Sequence, residues 1–387
     1  MIALKKTIAT ALSIVLCAIL SLFVSVSSSY AQEDYSYTVN SADIRGSDRY
    51  DTAKRMLNTP NDGVIVVSGE NFPDTLSASG LAGLLDYGIC YVQPTSLRDD
   101  IRKRLGSESI SNVIVIGGTS AVSDEVFNEI ASLSNITSIT RIAGADRFAT
   151  SEAVYRYGQS VHGWSSDNAV VVSGTGFADA ASIAVFAAGK AAPVFLADAD
   201  GNLSDTTLAR AEGYDRVLIA GGEAVVSAKT FDALSSQTEA IRLGGKDRYE
   251  TSAKIVDYIT SLGDVENGMG EFSYETIYIA TGKNYPDALA VGVNEAIEQR
   301  DRCYRAGNDL NNCPVVMLAD NGQTSQVTSQ LTSVGPYCDE AKRYQRFQNF
   351  WFIGSDIFTY ETTIEILEST GCSYDFYDGQ VSIDSIL

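Results

Sequence analysis

Short apolar segments rich in valine and isoleucine recur along the chain without alternating polar positions. Residues 113–116 and 217–220 are two of them. Such runs are typical of strands that are buried on both faces in a parallel sheet. Helical stretches lie between them, such as 52–57, 74–85 and 124–133. This β-α-β order requires right-handed crossovers and predicts small doubly wound α/β sheets.

Three motifs recur in the same order along the chain. The first, G-x-D-R-[YF]-x-T, starts at Gly46, Gly144 and Gly245, which are 98 and 101 residues apart. The second, [ST]-G-x-[NG]-[FY]-x-D, follows a strand and precedes an alanine-rich helix, and its copies start at Ser68, Ser173 and Thr281. The third is a Gly-Gly turn at 117–118 and 221–222, which has become Gly-Ser at 354–355. A period of this length predicts three domain-sized repeats, of which the third is divergent.

A Val-Ser pair follows each intact Gly-Gly turn. Its serine, Ser123 or Ser227, stands directly before a helical stretch, where a hydroxyl can accept from the first free N–H groups. We therefore expect both serines to be helix N-caps.

The repeat starts give the expected domain boundaries. They are a signal peptide at 1–31, a flexible lead segment at 32–42, repeat 1 at 43–138, repeat 2 at 139–239, repeat 3 at 240–378 and a tail at 379–387. Each repeat is expected to be a Rossmann- or flavodoxin-like parallel-sheet unit. Because a surface that meets its own copy can close a ring, we expect the three tandem units to form a pseudo-threefold arrangement.

The N-terminus has the features of an export signal. Lys5 and Lys6 precede an apolar run over 8–26, and small residues lead to Ala31, where we expect cleavage. An uncleaved membrane anchor is the alternative, because the apolar run could span a bilayer. The sequence thus predicts a secreted protein of the cell wall or cell surface.

The excess of acidic over basic residues excludes some classes of binding partner. The 387 residues include 28 Lys+Arg and 49 Asp+Glu, which gives a formal net charge of -21. Such an acidic chain is not expected to bind nucleic acid or an anionic membrane in general. The single histidine, His162, excludes three-histidine zinc sites and leaves catalysis without a repeated base. We expect no cofactor, no metal and no enzymatic activity.

Five cysteines follow the signal peptide. Cys90 stands in an apolar run and is interpreted as a core residue, whereas the other four are in the last quarter of the chain. We expect Cys303 to pair with Cys313 and Cys338 with Cys372, one of three possible connectivities. A metal site built from all four is less favoured because no C-x-x-C spacing is present.

The three ordered copies of G-x-D-R-[YF]-x-T with [ST]-G-x-N-[FY]-P-D-A-L resemble the cell-wall-binding repeat 2 family, over roughly residues 43–376. The resemblance implies non-covalent anchoring to the Gram-positive wall through an anionic secondary wall polymer, teichoic-acid-like or a phosphate-containing polysaccharide. It also implies surface-layer proteins as further partners. Gly176 and Ala178 depart from the family pattern, which has Asn and Pro there.

The repeated arginines Arg49, Arg147 and Arg248 are the strongest candidates in the sequence for residues that bind the polymer. A guanidinium presents a fixed fork of donors to a phosphate or carboxylate, and three copies could engage a repeating polymer. The structural alternative pairs each arginine with Asp74, Asp179 or Asp287. A second group of cations, Arg98 to Arg104, is expected on one helix.

Two other functions compete with wall anchoring. An exported wall hydrolase of the amidase type would need a nucleophile, base or metal constellation that the sequence does not offer. A solute-binding protein of a transporter is also exported and α/β, but that class has two lobes and a hinge rather than three homologous units.

Overall fold

The computed structural model describes residues 38–44, 46–57, 59–177, 179–262, 272–284, 286–305, 313–335, 347–353 and 358–377. The strands are β1 Thr38–Ile44, β2 Gly63–Ser68, β3 Gly88–Val92, β4 Asn112–Ile116, β5 Ser138–Ile142, β6 Asn168–Ser173, β7 Val194–Ala197, β8 Arg216–Ala220, β9 Glu239–Leu243, β10 Phe272–Thr281, β11 Cys313–Ala319, β12 Asn349–Ile353 and β13 Ser373–Tyr377. The helices are α1 Arg49–Arg55, α2 Phe72–Leu85, α3 Asp99–Leu105, α4 Asp124–Ala131, α5 Arg147–Val161, α6 Ala180–Gly189, α7 Asp205–Ala211, α8 Ala228–Ser235, α9 Arg248–Ser261, α10 Pro286–Arg305, α11 Ser325–Val334 and α12 Tyr360–Glu368. The predicted signal peptide and the tail lie outside the described residues.

The strands form three sheets in which every pairing between strands is parallel. Their strand orders are β3-β2-β4-β5, β7-β6-β8-β9 and β11-β10-β12-β1-β13. The central strand β2 is buried along its whole length, and β6 is buried at every residue after Asn168, because helices cover both faces. The prediction of three doubly wound α/β units is therefore confirmed.

The last strand of each unit leads directly into the next copy of the G-x-D-R-[YF]-x-T motif. β5 precedes α5 and β9 precedes α9, so each of these strands joins a sheet to the following repeat. β1 has the same role for the first repeat, but it lies in the third sheet, between β12 and β13. The chain is thereby closed into a ring. The expectation of a flexible lead fails for Thr38–Ser41, because these residues pair in parallel with β13, and from Asn40 onwards also with β12.

The helices that follow the second motif pack against one another at the centre. They are α2, α6 and α10, one from each repeat. Small residues allow the close approach: a Cβ on Gly83 of α2 would lie 1.9 Å from the carbonyl oxygen of Ala188 of α6. Asn294 on α10 accepts from the backbone N–H of Ile89 at 2.7 Å and donates to its carbonyl at 3.0 Å. The three units therefore share one interior rather than three separate cores.

The predicted N-caps are confirmed. Ser123 accepts from the N–H of Val126, and Ser227 accepts from that of Thr230. Among the described residues, none of the helices is both long enough and apolar enough to cross a bilayer.

Candidate functional site

Each G-x-D-R-[YF]-x-T segment starts a helix, and its aspartate is the N-cap. The side chain of that aspartate accepts from backbone N–H groups two or three residues further on, in Asp48, Asp146 and Asp247 alike. An N-cap of this kind typically stabilises a helix by about 1 kcal/mol. The N-cap role of these aspartates was not predicted from the sequence, although an aspartate directly before a helical stretch is a recognisable signal.

The glycine and the threonine of the segment hold the turn before the helix. In all three copies the glycine N–H donates to the threonine Oγ1 at 3.0 Å, in the pairs Gly46–Thr52, Gly144–Thr150 and Gly245–Thr251. A Cβ on Gly144 would lie 2.3 Å from the carbonyl carbon of Ala149, so only glycine fits. Glycine, aspartate and threonine therefore shape the segment and place its arginine.

The arginine of each segment is fixed to the second motif of its own repeat. Arg49 Nη1 donates to the carbonyl of Gly69 at 2.7 Å, and Arg147 Nη1 donates to that of Gly174 at 2.6 Å. Arg248 makes the same bond to Gly282. The three guanidinium groups are thus held in equivalent positions beside the carboxyl ends of β2, β6 and β10, the edge where open α/β sheets bind ligands.

The same arginines face the preceding repeat. The guanidinium carbon of Arg147 lies 5.9 Å from the ring centroid of Phe72, and that of Arg248 lies 5.4 Å from the ring of Phe177. A cation over an aromatic face is attracted by the quadrupole of the ring. Each arginine therefore lies at a junction between two repeats.

The aspartates that the sequence offered as partners are at these junctions too. The charge of Arg147 acts on Asp74, that of Arg248 on Asp179 and that of Arg49 on Asp287. The last pair joins the first repeat to the third and completes the circle. Among the described residues, none of the three pairs comes within 4 Å as a direct salt bridge, so the attraction acts over a longer distance.

Burial dominates the state of these carboxyl groups. Loss of solvent raises the pKa of Asp74 to about 6, and the charge of Arg147 opposes this rise only in part. Burial also raises the pKa of Asp179 and Asp287, against the nearby arginine and a threonine hydroxyl of the following repeat. The aspartates therefore resist ionisation more than exposed carboxyl groups do.

The Gly-Gly turns pack on the same carboxyl groups. Gly117 has φ 118°, and a Cβ there would lie 2.7 Å from Asp74 Oδ2. Gly221, with φ 114°, stands in the same relation to Asp179 Oδ2, at 2.9 Å. Both turns need glycine for its left-handed backbone and for the space. They act as tight strand-to-helix turns.

A second repeated arginine was missed in the sequence. Arg141 Nη1 donates to the carbonyls of Gly117 and Val122 at 3.0 and 2.8 Å, and Arg242 makes the equivalent bonds to Gly221 and Val226. Each stands three residues before a motif glycine. That position in repeat 1 holds Asp43, and the Gly-Gly pair of the sheet that contains β1 has become Gly-Ser at 354–355. The loss of the arginine together with the loss of the second glycine was the signal in the sequence that links these two positions.

The basic group Arg98 to Arg104 is largely bound within the protein. Arg98 forms a salt bridge with Asp48 at 2.6 Å, and Arg102 pairs with Glu129. Arg104 Nη2 donates to the carbonyl of Leu57 at 2.8 Å. Lys103 is exposed. The arginines of this group therefore mainly stabilise the fold.

The remaining residues singled out by the sequence are not at the junctions. Cys90 is fully buried, as predicted for a core residue, and His162 is exposed at the C-cap of α5. Cys313 is buried, and Cys372 is partly buried. The side chain of Cys303 and all of Cys338 lie outside the described residues, so both disulfides stay predictions. Within the described ranges, no His, Cys, Asp and Glu group could hold a metal ion.

Comparison with known proteins assigns a family to this arrangement. The model of the family described as Cell wall binding domain 2 matches residues 44–127, 141–231 and 242–303. The N-acetylmuramoyl-L-alanine amidase LytC of Bacillus subtilis is 30% identical over 272 residues, which are 69% of this chain and 50% of the amidase. The amidase enhancer of the same organism is 28% identical over 63% of this chain and 32% of its own length. The chain thus spans half or less of these relatives.

Two solved structures have a similar fold. Cwp6 from Clostridium difficile superposes with a TM-score of 0.67 at 19% identity, covering 87% of this chain and 48% of Cwp6. Cwp8 from the same organism gives a TM-score of 0.65 at 21% identity, over 87% of this chain and 52% of Cwp8. Both likenesses establish the architecture of the three-repeat ring.

Proposed function

The chain belongs to the cell wall binding domain 2 family, and from this premise we propose that it is exported and anchors non-covalently to the wall by binding an anionic secondary polymer at its repeat junctions. The polymer is teichoic-acid-like or a phosphate-containing polysaccharide. Other surface-layer proteins are its expected neighbours at the cell surface.

The main support for this proposal is that the three arginines have hydrogen-bond donors free to bind a ligand. Each uses Nη1 on a glycine carbonyl, and its other donors have no partner among the described residues. Arg147 is exposed, and Arg49 and Arg248 are partly exposed. A guanidinium that is fixed at one edge and free at the other loses little entropy when it binds a phosphate or carboxylate.

The repetition of the site suits a polymer. Three equivalent arginines around one ring can engage successive charged groups of a single strand or three separate strands. Binding at one site raises the effective concentration at the next, so weak single contacts add up to strong retention.

The overall charge of the chain opposes this partner at long range. A formal charge of -21 repels an anionic polymer. Binding therefore depends on short-range donors at matched positions. We expect retention on walls to pass through a maximum with salt, since moderate salt screens the general repulsion and high salt weakens the arginine contacts.

An exported hydrolase is the second candidate, because the amidase LytC is among the relatives. We propose that this chain binds rather than hydrolyses. In the described part of the chain, the only histidine is exposed at a helix end and lies outside the repeat junctions. A nucleophile at a repeat junction would therefore lack a neighbouring histidine to activate it.

Wall retention tests the proposed function directly. The secreted chain should sediment with purified walls and should stay in solution when the secondary polymers have been stripped from the same walls. Equal retention on stripped walls would contradict the polymer as the partner. Release of amino groups or reducing sugar ends from intact walls would favour the hydrolase.

A further inference from the structure

A cavity of about 260 Å³ lies in repeat 2, beside the carboxyl end of β7 and the start of α5. Its walls include the rings of Phe148 and Phe195, the side chain of Leu203 and the carboxyl groups of Glu152 and Asp198. We propose that this cavity binds one sugar ring of the wall polymer. The inference rests on the proposed function for the source of the sugar.

Two carboxylate oxygens at the cavity have no partner. Glu152 Oε1 pairs with Arg210, whereas its Oε2 is buried and makes no hydrogen bond. Asp198 Oδ1 accepts from the backbone N–H groups of Asp200 and Asn202 at 3.0 and 2.8 Å, and Oδ2 has no partner among the described residues. Asp198 is exposed, so water can also reach its Oδ2. The buried Glu152 Oε2 is costly to leave unpaired, so a ligand that donates to it is favoured.

The equivalent place in repeat 3 shows why the second repeat differs. There Tyr249 donates its hydroxyl to Asp320 Oδ2, and Thr281 donates to Asp320 Oδ1 at 2.5 Å. Asp198 follows the same Leu-Ala pair as Asp320, but Phe148 stands where Tyr249 does. Since phenylalanine has no hydroxyl, the internal donor to Asp198 is lost and a ligand can take its place.

The lining selects the chemical class of the ligand. Two carboxylates accept from hydroxyl or ammonium groups and repel phosphate, while the aromatic rings offer an apolar surface to the CH groups of a sugar. Pockets for drug-sized ligands have volumes of roughly 300–1,000 Å³, so a cavity slightly below that range fits a single sugar ring. A pyranose or an amino pyranose meets these conditions.

The cavity adjoins the arginine site of the same repeat. Arg147 holds the carbonyl of Gly174, and a Cβ on Gly174 would lie 2.6 Å from Phe148 Cε1. An anionic group on Arg147 and a sugar in the cavity would therefore be neighbours. A phosphate-containing polysaccharide, in which charged groups and sugars alternate, could therefore place a charged group on Arg147 and the adjacent sugar in the cavity.

Titration of the whole secreted chain with three small probes tests the cavity. The probes are methyl glucoside, methyl N-acetylglucosaminide and methyl glucosaminide. Binding of each probe is measured by saturation-transfer NMR. We expect at least one to bind. Phe148→Tyr should weaken that binding roughly tenfold, because the new hydroxyl occupies the cavity and bonds Asp198. Tyrosine is native at this position in repeats 1 and 3, so the variant should fold.

Two further variants sharpen the result. Glu152→Gln removes the unpaired carboxylate and should also weaken binding, whereas Tyr249→Phe, the matched change in repeat 3, should not. Inorganic phosphate should not compete with the bound glycoside. No binding of any probe, or undiminished binding in Phe148→Tyr or Glu152→Gln, would overturn the cavity as a sugar site.

Wall retention separates this inference from the proposed function. If intact but not stripped walls retain the chain while no glycoside binds, the cavity inference fails and the anchoring proposal stands. If the glycoside binds as expected but stripped walls retain the chain fully, the polymer proposal fails and the cavity remains a sugar site.

Discussion

Asn40 and Asn349, which are 309 positions apart, lie side by side in the third sheet, and the Asn40 side-chain amide donates to Asn349 Oδ1 at 3.2 Å. The backbone N–H of Asn40 also donates to the carbonyl of Gln348 at 2.8 Å. The strand β1 is therefore an interior strand of the third sheet. Stability of the third unit depends on residues that are synthesised before most of that unit.

Deleting residues 38–44 should open the ring. The deletion removes β1 from between β12 and β13, and it also removes the buried Ile44. Hydrogen exchange should then show loss of protection over β12 and β13 and little change over β6 and β8. Protection of β12 equal to that of the intact chain would contradict the role of β1 as the closing strand.

Substitution of the junction arginines should separate binding from folding. Arg49→Lys, Arg147→Lys and Arg248→Lys should each lower wall retention by about threefold to tenfold, and the triple variant should abolish it, because lysine keeps the charge but loses the fork. Melting temperature is measured on the same samples.

Arg141→Lys and Arg242→Lys are the matched controls. These arginines bond the carbonyls of the Gly-Gly turns, so their replacement should lower the melting temperature and leave retention of the folded protein unchanged. A triple junction variant that stays folded and is retained fully would remove the three arginines from the binding proposal.

The buried carboxyl group of Asp74 should make stability depend on pH. Its pKa is about 6 in the folded chain against a reference of 3.8, so the folded state binds the extra proton between these values. The Asp74 contribution therefore rises as pH falls from 7 through 6 towards 4.

Asp74→Asn removes this titration. The stability of the variant relative to the parent should be greater at pH 7.5 than at pH 4.5, by about 2 kcal/mol. Urea unfolding at both pH values measures the difference, with exposed Glu108→Gln as a control for loss of a charge. A difference that does not change with pH would show that Asp74 is ionised like an exposed carboxyl group.

Gly144→Ala should destabilise the chain because a Cβ has no room beside Ala149. Overpacking of this kind costs about 1–3 kcal/mol. Gly118→Ala is the control, since a Cβ on Gly118 meets nothing within 4 Å. Equal midpoints for the two variants in denaturant unfolding would contradict the steric account of the first motif.

Cys90 should react with iodoacetamide only after unfolding. It is fully buried, and burial raises the pKa of its thiol to about 12, which leaves almost no thiolate at pH 8. Mass spectrometry of the alkylated chain gives the site. Under oxidising conditions the other four cysteines are expected to stay blocked, and labelling of Cys90 in the folded chain would contradict its place in the core.

The elements of the fold could be predicted from local sequence because local forces specify them. Continuous Val and Ile runs such as those in β4 and β8 suit only strands that are covered on both faces. Ser123 and Ser227 were recognised as caps because an N-cap bonds within its own turn. Three copies of one motif order then implied three similar units.

Which residues meet across the ring was decided by the tertiary structure alone. Local sequence patterns cannot predict contacts between residues that are distant along the chain. Examples are the pairing of Asn40 with Asn349, the position of Arg147 over Phe72 and the hydrogen bond from Arg141 to the carbonyl of Gly117. Their geometry depends on how three helices pack at one centre, and small residues such as Gly83 set that approach. Local patterns thus determine the repeat, whereas long-range packing determines which residues of two repeats form a junction.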